Sequence, residues 1–468
     1  MGLKIRMKPE NQSRRAVIQG LLGGLVAGAT QGHTEADETE ARSGFPFQVG
    51  VASVEITPKE EITLAGSPSP KKTSVVATPL FAKALVISTG GQKLAIVTLD
   101  TLKYPTDLVV KVRKRIEGET GIPADRIMIC ASHTHRGPLW TYYDDGLIEP
   151  ICRAVAAAAN QLEPCKIGTA LGSAKGVSEN RRLIKDGEVW NRWLLSPSEQ
   201  NQYPTEGPAD PGLGVLAVIG KDGKYRALLY NFASHPVSTR DSVISADYPG
   251  HVQRYLDERI GYPVPTLFLL GSCGDVNTST SSEIVGKAIG EGIVESLEEI
   301  ELIRNPSVQV IGSELALPVR QNPEFQEAEL ALKWPGNVEH YRKAFERMMK
   351  SQQPTYQCLF SGIAIGDDFA IVTNPFELFC EIGIKIRAGS PFKHTMIATL
   401  TNGARGYVPT RKAFDGKGYE TWFGEHSYLS KQTGEIAGEV SAKLLRELGN
   451  DRLIKGDWNP GKRDLRKG

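Results

Sequence analysis

The sequence contains few cysteines, and no two of them stand close together. Six occur among 468 residues, too few for a disulfide-stapled domain, and none has the CxxC spacing of a zinc ribbon or a thioredoxin-like redox site. A glycine-rich phosphate loop and the GxSxG elbow of serine hydrolases are also missing. These absences argue against the commonest nucleotide-binding, thiol-redox and serine-hydrolase classes, and any metal site must use ligands other than paired cysteines.

An excess of charge of either sign is lacking too. The chain carries 55 Lys and Arg against 54 Asp and Glu, a formal net charge of +1. Nucleic-acid binding normally needs a concentrated positive field, so no nucleic-acid partner is expected. Apolar residues make up 40% and charged residues 23% of the chain, which is typical of a globular protein and not of a disordered one.

No apolar run is long enough to span a membrane, but a short one lies near the N-terminus. The twin arginines Arg14 and Arg15 directly precede an apolar run from Ala16 to Ala29, and a bilayer span needs roughly 20 apolar residues. Small residues at 27–29 form a cleavage pattern. Residues 1–43 are therefore predicted to be a twin-arginine export signal with a polar spacer, giving a periplasmic or secreted protein. The alternative is a basic tail before an amphipathic helix.

From about Phe45 onward, short apolar runs alternate with helical patterns, which is typical of α/β proteins. Periodicity predicts strands at 93–98, 126–131, 225–233, 264–270 and 369–373, and helices at 106–119 and 147–162. We expect one hydrolase domain over residues 44–449, with a mixed or mostly parallel central sheet and helices on both faces. A charged helical segment at 323–350 could cover the site as a lid, and residues 450–468 form a basic tail.

Polar residues follow the predicted strands at the points where the strands end. They are Asp100, Ser132 to His135, Ser234 to Pro236, Gly274 with Asp275, and Pro375 to Glu377. Ligands of open α/β sheets bind beyond the carboxyl ends of the strands. The sequence therefore predicts one site at that end of the sheet.

Three of the eight histidines, His133, His135 and His235, fall at these strand ends. In extended backbone, His133 and His135 would project to the same side. Imidazole suits zinc, copper, iron or nickel, and two histidines with one carboxylate are found in hydrolytic zinc sites. Glu377 could supply the carboxylate, or could instead be an acidic residue at a helix start.

Other residues near these strand ends have two interpretations each. Asp100, Asp247 and Asp275 could orient a ligand imidazole through its second ring nitrogen, or could be turn and cap residues. Cys273 could be a nucleophile, although a small buried thiol is the more common role of such a cysteine.

Six motifs in the same order resemble the catalytic domain of the neutral/alkaline non-lysosomal ceramidases, from about Gly50 to Glu425. They are Ser132 to Pro138, Asn180-Arg181, Phe232 to Pro236, Gly274 to Val276, Glu377 with Gly383, and Gly406 to Thr410 with Tyr419-Glu420. The resemblance implies zinc held by His133, His235, Glu377 and Tyr407. It also implies catalytic roles for His135, Arg181 and Tyr419 in polarising or positioning the scissile amide. A turn aromatic for Tyr407 and a surface guanidinium for Arg181 are the alternatives.

The chain departs from the family pattern in two places. Asn277 stands where these ceramidases have a serine after Gly-Asp-Val, and the chain ends at Gly468, where they continue into a β-sandwich domain. We expect an exported zinc-dependent amidohydrolase that cleaves ceramide or a related N-acyl lipid with a zinc-activated water. The alternatives are a zinc hydrolase of another exported amide or ester and a non-catalytic metal-containing binding protein. Peripheral membrane contact and the oligomeric state stay open.

Overall fold

A computed structural model describes residues 44–449, apart from residues 240 and 352. The predicted export signal and the predicted basic tail lie outside the described residues. Within the described part of the chain, no helix combines the length and the apolar character that crossing a membrane requires.

The strands and helices of the described residues follow in chain order. The strands are β1 Phe47–Glu55, β2 Ile62–Thr63, β3 Lys72–Thr73, β4 Phe81–Thr89, β5 Gln92–Leu99, β6 Ile127–Ala131, β7 Glu163–Ser173, β8 Ser178–Asn180, β9 Arg182–Lys185, β10 Glu188–Asn191, β11 Gly212–Gly220, β12 Tyr225–Phe232, β13 Thr266–Leu270, β14 Val276–Thr278, β15 Glu301–Leu302, β16 Val308–Pro318, β17 Thr355–Ile365, β18 Phe369–Thr373, β19 Glu377–Leu378, β20 His394–Ala398 and β21 Tyr407–Val408. The α-helices are α1 Thr106–Thr120, α2 Trp140–Tyr143, α3 Ile148–Asn160, α4 Pro197–Gln200, α5 Tyr248–Ile260, α6 Ser282–Leu297, α7 Glu327–Lys333, α8 Val338–Ser351, α9 Cys380–Ala388, α10 Arg411–Gly416 and α11 Thr433–Leu448.

The largest sheet has nine strands and is mixed. Eight strands follow in the order β13-β12-β11-β7-β1-β4-β5-β6. The ninth, β15, lies outside this order and pairs with β7. Only the pairs at the two edges are parallel, β5 with β6 and β12 with β13. β5 is buried over six consecutive residues, as expected for a strand covered on both faces.

A second sheet, in the order β16-β17-β18-β20, packs against one face of the nine-stranded sheet. Ile96 and Leu229 of the larger sheet share a buried cluster with Ile363, Phe369 and Ile371 of the smaller one. Helices α1, α3, α5 and α6 cover the opposite face of the larger sheet, and α9 and α11 cover the outer face of the smaller sheet. The predicted α/β class with a mixed sheet is confirmed. The helices lie on the two outer faces, because a second sheet occupies the inner face of the first.

The segment 399–402 after β20 connects the two edges of the large sheet. The Thr399 backbone N–H donates to the Leu270 carbonyl at the end of β13 (2.8 Å), and Ala131, at the end of β6, donates to the Leu400 carbonyl (3.2 Å). Asn402 donates to the Ile129 carbonyl over 2.8 Å. The large sheet therefore curls until the carboxyl ends of its two parallel edge pairs flank one segment. This closure brings residues far apart in sequence to one place.

Candidate active site and metal centre

The predicted site residues meet where the two sheets close on each other. His133 and His135 follow β6, and His235 follows β12. Glu377 and Tyr407 are register partners in the short parallel pair β19 and β21. Glu377 therefore belongs to a strand, and the helix after it begins only at Cys380, so the helix-start interpretation is wrong. Tyr407 is a buried strand residue and not a turn aromatic.

The two histidines after β6 converge for a different reason than the sequence suggested. His133 has a φ of 67°, in the left-handed region, so the expectation of extended backbone from His133 to His135 is wrong. A non-glycine residue there costs of the order of 1–3 kcal/mol, and such strain is concentrated at functional sites. The His133 ring centroid lies 4.9 Å from that of His135 and 4.8 Å from that of His235.

Backbone carbonyls orient all three imidazoles. The Nδ1 atoms of His133, His135 and His235 lie 2.7, 3.0 and 2.7 Å from the carbonyl oxygens of Leu102, Gly66 and Cys273. A carbonyl oxygen only accepts, so each Nδ1 must carry a proton, and in the neutral imidazole the lone pair is then on Nε2. This arrangement is typical of metal-binding histidines, whose second nitrogen is held by an outer partner.

The three aspartates considered for that outer role lie elsewhere. Asp100 accepts from the Phe81 backbone N–H (2.9 Å). Asp247 caps α5 through the Tyr248 N–H (2.8 Å). Asp275 accepts from the Cys380 N–H (2.8 Å). The turn-and-cap interpretation holds for them, and the proposed support of imidazoles by these carboxylates is wrong.

The Nε2 atoms of the histidines and the Glu377 carboxylate oxygen are spaced like the ligand atoms of a metal coordination shell. His133 Nε2 lies 3.4 Å from His135 Nε2 and 3.3 Å from Glu377 Oε2, and His235 Nε2 lies 3.2 Å from the same oxygen. Bond lengths of 2.0–2.1 Å around a tetrahedral zinc place neighbouring ligand atoms about 3.3 Å apart. Lone pairs facing each other at such distances repel unless a cation lies between them. The cluster of His133, His135 and His235 could hold a metal ion, and Glu377 is positioned to join it.

Burial favours the neutral form of two of the imidazoles, those of His135 and His235. It lowers the pKa of His235 to about 4 and that of His135 well below its usual value. Burial alone would raise the pKa of Glu377, but the contacts with His133 and His235 outweigh it and hold that pKa well below its usual range. Neutral imidazoles and an ionised carboxylate are the protonation states in which these groups bind metals.

Arg181 is a buried part of the site. Only 3% of its surface is exposed, so the surface-guanidinium interpretation is wrong. Its Nε donates to Glu420 Oε1 over 2.8 Å, and its Nη1 lies 3.0 Å from Asn277 Oδ1 and 3.4 Å from His235 Nε2. The guanidinium also lies over the Trp193 ring, 5.1 Å from its centroid. Positive charge is thus fixed beside the imidazole cluster.

Behind Arg181 lies a buried network of charged residues that the sequence motifs did not indicate. Glu420, with no exposed surface, also accepts from Arg182 Nη1 (2.6 Å) and Asn191 Nδ2 (2.8 Å). Arg182 in turn pairs with Glu206 over 2.6 Å. The available signal was the pair of adjacent arginines combined with an acid directly after Tyr419, because buried arginines need a carboxylate partner.

Aromatic side chains surround Tyr419. Its ring stacks on His426 at 4.8 Å with an interplanar angle of 8°, and the Tyr407 centroid lies 5.5 Å away. Trp334 and Tyr341, from the helical segment considered as a lid, lie 6.4 and 6.0 Å from it. Burial raises the pKa of Tyr419 well above its usual value, so its hydroxyl keeps its proton near neutral pH.

The cysteines do not form a reactive centre. All six lie in the described residues, buried and unpaired. Burial raises the pKa of Cys273 well above that of a free thiol, so its nucleophilic thiolate form is disfavoured. The role of a small buried residue holds for it.

No family sequence model and no curated protein matches this chain. Among solved structures, it is similar to neutral ceramidase from Pseudomonas aeruginosa, with a TM-score of 0.69 and 16% identity over 87% of this chain and 75% of that one. It is also similar to a ceramidase complexed with C2, with a TM-score of 0.68 and 16% identity over 91% of this chain and 79% of that one. At this identity the likeness establishes a common fold, and the fold that the motifs implied is confirmed.

Proposed function

We propose that this chain, which has the fold of the neutral ceramidases, is an exported zinc-dependent hydrolase that cleaves the amide bond of ceramide or a related N-acyl lipid. The observation that carries the proposal is the convergence of the Nε2 atoms of His133 and His235 on Glu377 Oε2, at 3.3 and 3.2 Å, with the Nδ1 of each imidazole held by a backbone carbonyl. Neutral nitrogen ligands with one carboxylate favour zinc among the common hydrolytic metals.

His133, His235 and Glu377 would hold the ion, with Tyr407 beside them as the fourth ligand. Burial and the charge of Glu377 raise the pKa of the Tyr407 phenol well above its usual value, so this residue would bind through a neutral oxygen unless the ion itself displaces the proton. Zinc at such a centre supplies Lewis-acid polarisation of a carbonyl and lowers the pKa of a water toward about 7.

Arg181 would stabilise the negative charge that develops on the acyl oxygen. Its guanidinium cannot lose its proton at neutral pH, and Glu420 and the Trp193 ring fix its position before any substrate arrives. Donors that need no reorganisation at the moment of reaction give the largest electrostatic stabilisation of a transition state.

The leaving amine needs a proton, and two residues are placed to supply or hold one. Tyr419 keeps its hydroxyl proton because burial raises its pKa. His135 is not among the assigned ligands. Burial lowers its pKa and favours its neutral form, in which Nε2 could accept a proton from the attacking water and pass it on. We assign Tyr419 to hydrogen bonding of the oxyanion or the leaving group and His135 to proton transfer.

Partly exposed apolar side chains near the site support an apolar substrate. Trp193, which packs on Arg181, is 38% exposed. Leu139, four residues beyond His135, is 37% exposed. A lipid chain could lie along such surfaces while the amide reaches the imidazole cluster.

The test is hydrolysis of a fluorescent N-acyl-sphingosine by the purified protein, before and after chelation and with zinc added back. We expect turnover that disappears with the metal and returns with it. A protein that contains zinc but cleaves no N-acyl lipid would contradict the substrate assignment and direct attention to other exported amides or esters. Ligand affinity without turnover, with or without zinc, would contradict the enzyme assignment.

Export is tested separately by cell fractionation. The unaltered chain should be found outside the cytoplasm, and a variant with Arg14→Lys and Arg15→Lys should be retained inside. Equal distribution of the two proteins would contradict the twin-arginine route.

A further inference from the structure

Asn277 lies at the edge of the candidate active site, held there by two backbone contacts. It is the middle residue of β14, where it pairs with Glu179 of β8. On its other side it forms a parallel bridge with His235. The residue is half-buried. Its backbone is therefore tied to the same loop that presents one of the central imidazoles.

The orientation of the Asn277 side chain follows from its contact with Arg181. Arg181 Nη1 lies 3.0 Å from Oδ1 of Asn277. A guanidinium can only donate, so the facing atom must be the carboxamide oxygen, and Nδ2 must point another way. Within the described part of the chain, the hydrogen-bond partner of this side chain is Arg181. The Nδ2 atom is not one of the fully buried polar atoms that have no hydrogen-bond partner.

The Asn277 carboxamide is also close to the imidazole cluster. The guanidinium nitrogen that donates to its Oδ1 lies 3.4 Å from Nε2 of His235. The guanidinium itself is fixed by Glu420. The carboxamide of Asn277 is therefore oriented by Arg181, and its Nδ2 is a neutral donor beside a cation and the imidazole cluster.

We propose that Nδ2 of Asn277 donates a hydrogen bond to the carbonyl oxygen of the scissile bond and to the oxyanion that forms from it. The proposal rests on the proposed function and assigns the acyl-oxygen pocket of that site to Asn277 and Arg181 together. A carboxamide does not titrate near neutral pH and is a poor nucleophile, so it would serve as a fixed donor only.

The reaction balances without any covalent step at Asn277. The oxygen of water forms the bond to the acyl carbon, and the carbon–nitrogen bond breaks. One proton of the water passes to the leaving nitrogen, which gives a free amine, and the remaining proton of the new carboxylic acid passes to solvent, which gives a carboxylate. Asn277 is unchanged throughout, and its contribution is greatest when the acyl oxygen carries full negative charge.

The experiment compares Asn277→Ala, Asn277→Asp and Asn277→Ser with the unaltered enzyme. Loss of one such donor typically lowers kcat by about 10²–10³-fold, and we expect this for Asn277→Ala with KM changed much less. Asn277→Asp keeps an oxygen for Arg181 but lacks the donor, so it should lose at least as much. Asn277→Ser restores a hydroxyl donor and should recover part of the loss.

A structural role would give a different pattern. Zinc content should stay unchanged in all three variants, and Asn277→Asp, which keeps the oxygen that accepts from Arg181, should also keep its thermal stability. Thr278→Ala, the next residue of β14, is the matched control and should keep full activity. An Asn277→Ala enzyme with kcat within about threefold of the unaltered enzyme, or with an increase in KM alone, would overturn the proposal.

A binding measurement separates this inference from the proposed function. The probe is an N-acyl-sphingosine isostere in which a methylene replaces the amide nitrogen, so that the carbonyl is kept but cannot be hydrolysed. Calorimetry should give an affinity about tenfold weaker for Asn277→Ala than for the unaltered protein, as expected for a lost hydrogen bond of about 1.4 kcal/mol. Equal affinities would refute carbonyl recognition by Asn277 even if the protein turns over no lipid.

Discussion

Replacement of Glu420 by glutamine should separate the support of Arg181 from the chemistry that Arg181 performs. Glu420 has no exposed surface and accepts from three donors, Arg181 at 2.8 Å, Arg182 at 2.6 Å and Asn191 at 2.8 Å. Burial raises its pKa, but Arg181 and Arg182 outweigh that effect and hold the pKa below its usual value, so Glu420 is ionised at neutral pH. Glu420→Gln keeps the shape and removes the charge.

The expected loss of stability depends on the carboxylate partners that each arginine retains in the variant. Arg182 retains Glu206, whereas Glu420 is the only carboxylate that pairs with Arg181 within the described residues. The amide NH₂ of the new side chain would also face a guanidinium donor. Breaking a buried ion pair from one side costs about 3–5 kcal/mol, and we expect a loss of that size in the free energy of unfolding. The kcat of the folded fraction should fall as well, because Arg181 is no longer held in place.

The assay is urea denaturation followed by circular dichroism at pH 7, together with steady-state kinetics on the N-acyl substrate. Glu206→Gln is the matched control, because Glu206 contacts Arg182 and leaves Arg181 untouched. It should cost about 1.5–3 kcal/mol, the range for hydrogen bonds to charged groups, with kcat unchanged. If Glu420→Gln were no more destabilising than Glu206→Gln, or if its kcat were normal, our account of how Arg181 is positioned would be refuted.

Three further predictions concern the metal, the guanidinium and the buried acid. His235→Ala should lose most bound zinc by elemental analysis, while His394→Ala, which removes a buried imidazole outside the site, should retain it; equal zinc contents would contradict the ligand assignment. Arg181→Lys should lower kcat by roughly 10-fold or more while zinc binding stays intact, because lysine cannot reach Glu420 and Asn277 together; an unchanged kcat would remove Arg181 from the reaction. Burial raises the pKa of Asp275 from 3.8 to about 6, so its contribution to stability is full below pH 4 and is lost as the pH rises through 6. Relative to Asp275→Asn, the stability of the unaltered protein should fall over that range in urea titrations and stay level above it, and a flat difference would show that the pKa is not raised.

Much of the local structure could be predicted from the sequence. The strand predicted at 369–373 is β18, which has the same bounds, and the helix predicted at 106–119 is α1, which is one residue longer. These elements are encoded in a period of two or 3.6 residues, which a short window of sequence contains in full. The strand-end positions of His133 and His235 were visible in the same way, because polar residues follow apolar runs there.

The tertiary structure alone decided how these elements combine. The stacking of a second sheet on the first depends on a buried cluster that includes Leu229 and Ile371, and membership of that cluster leaves no periodic signal in the sequence. Segment 399–402 closes the large sheet through hydrogen bonds to β6 and β13, which are distant in sequence. The carboxyl ends of the edge strands meet only because of that closure.

The candidate site was likewise predicted in part from the sequence and decided in part by the tertiary structure. Residue types and their order favoured imidazole ligands with a carboxylate, since these are the groups that bind zinc. Sequence could not say that the imidazoles are held by carbonyls of Leu102, Gly66 and Cys273 and not by aspartates, because a backbone carbonyl is available at every position. Nor could it place Arg181 in a buried network, since an exposed and a buried arginine look the same until the fold supplies Glu420 as its partner.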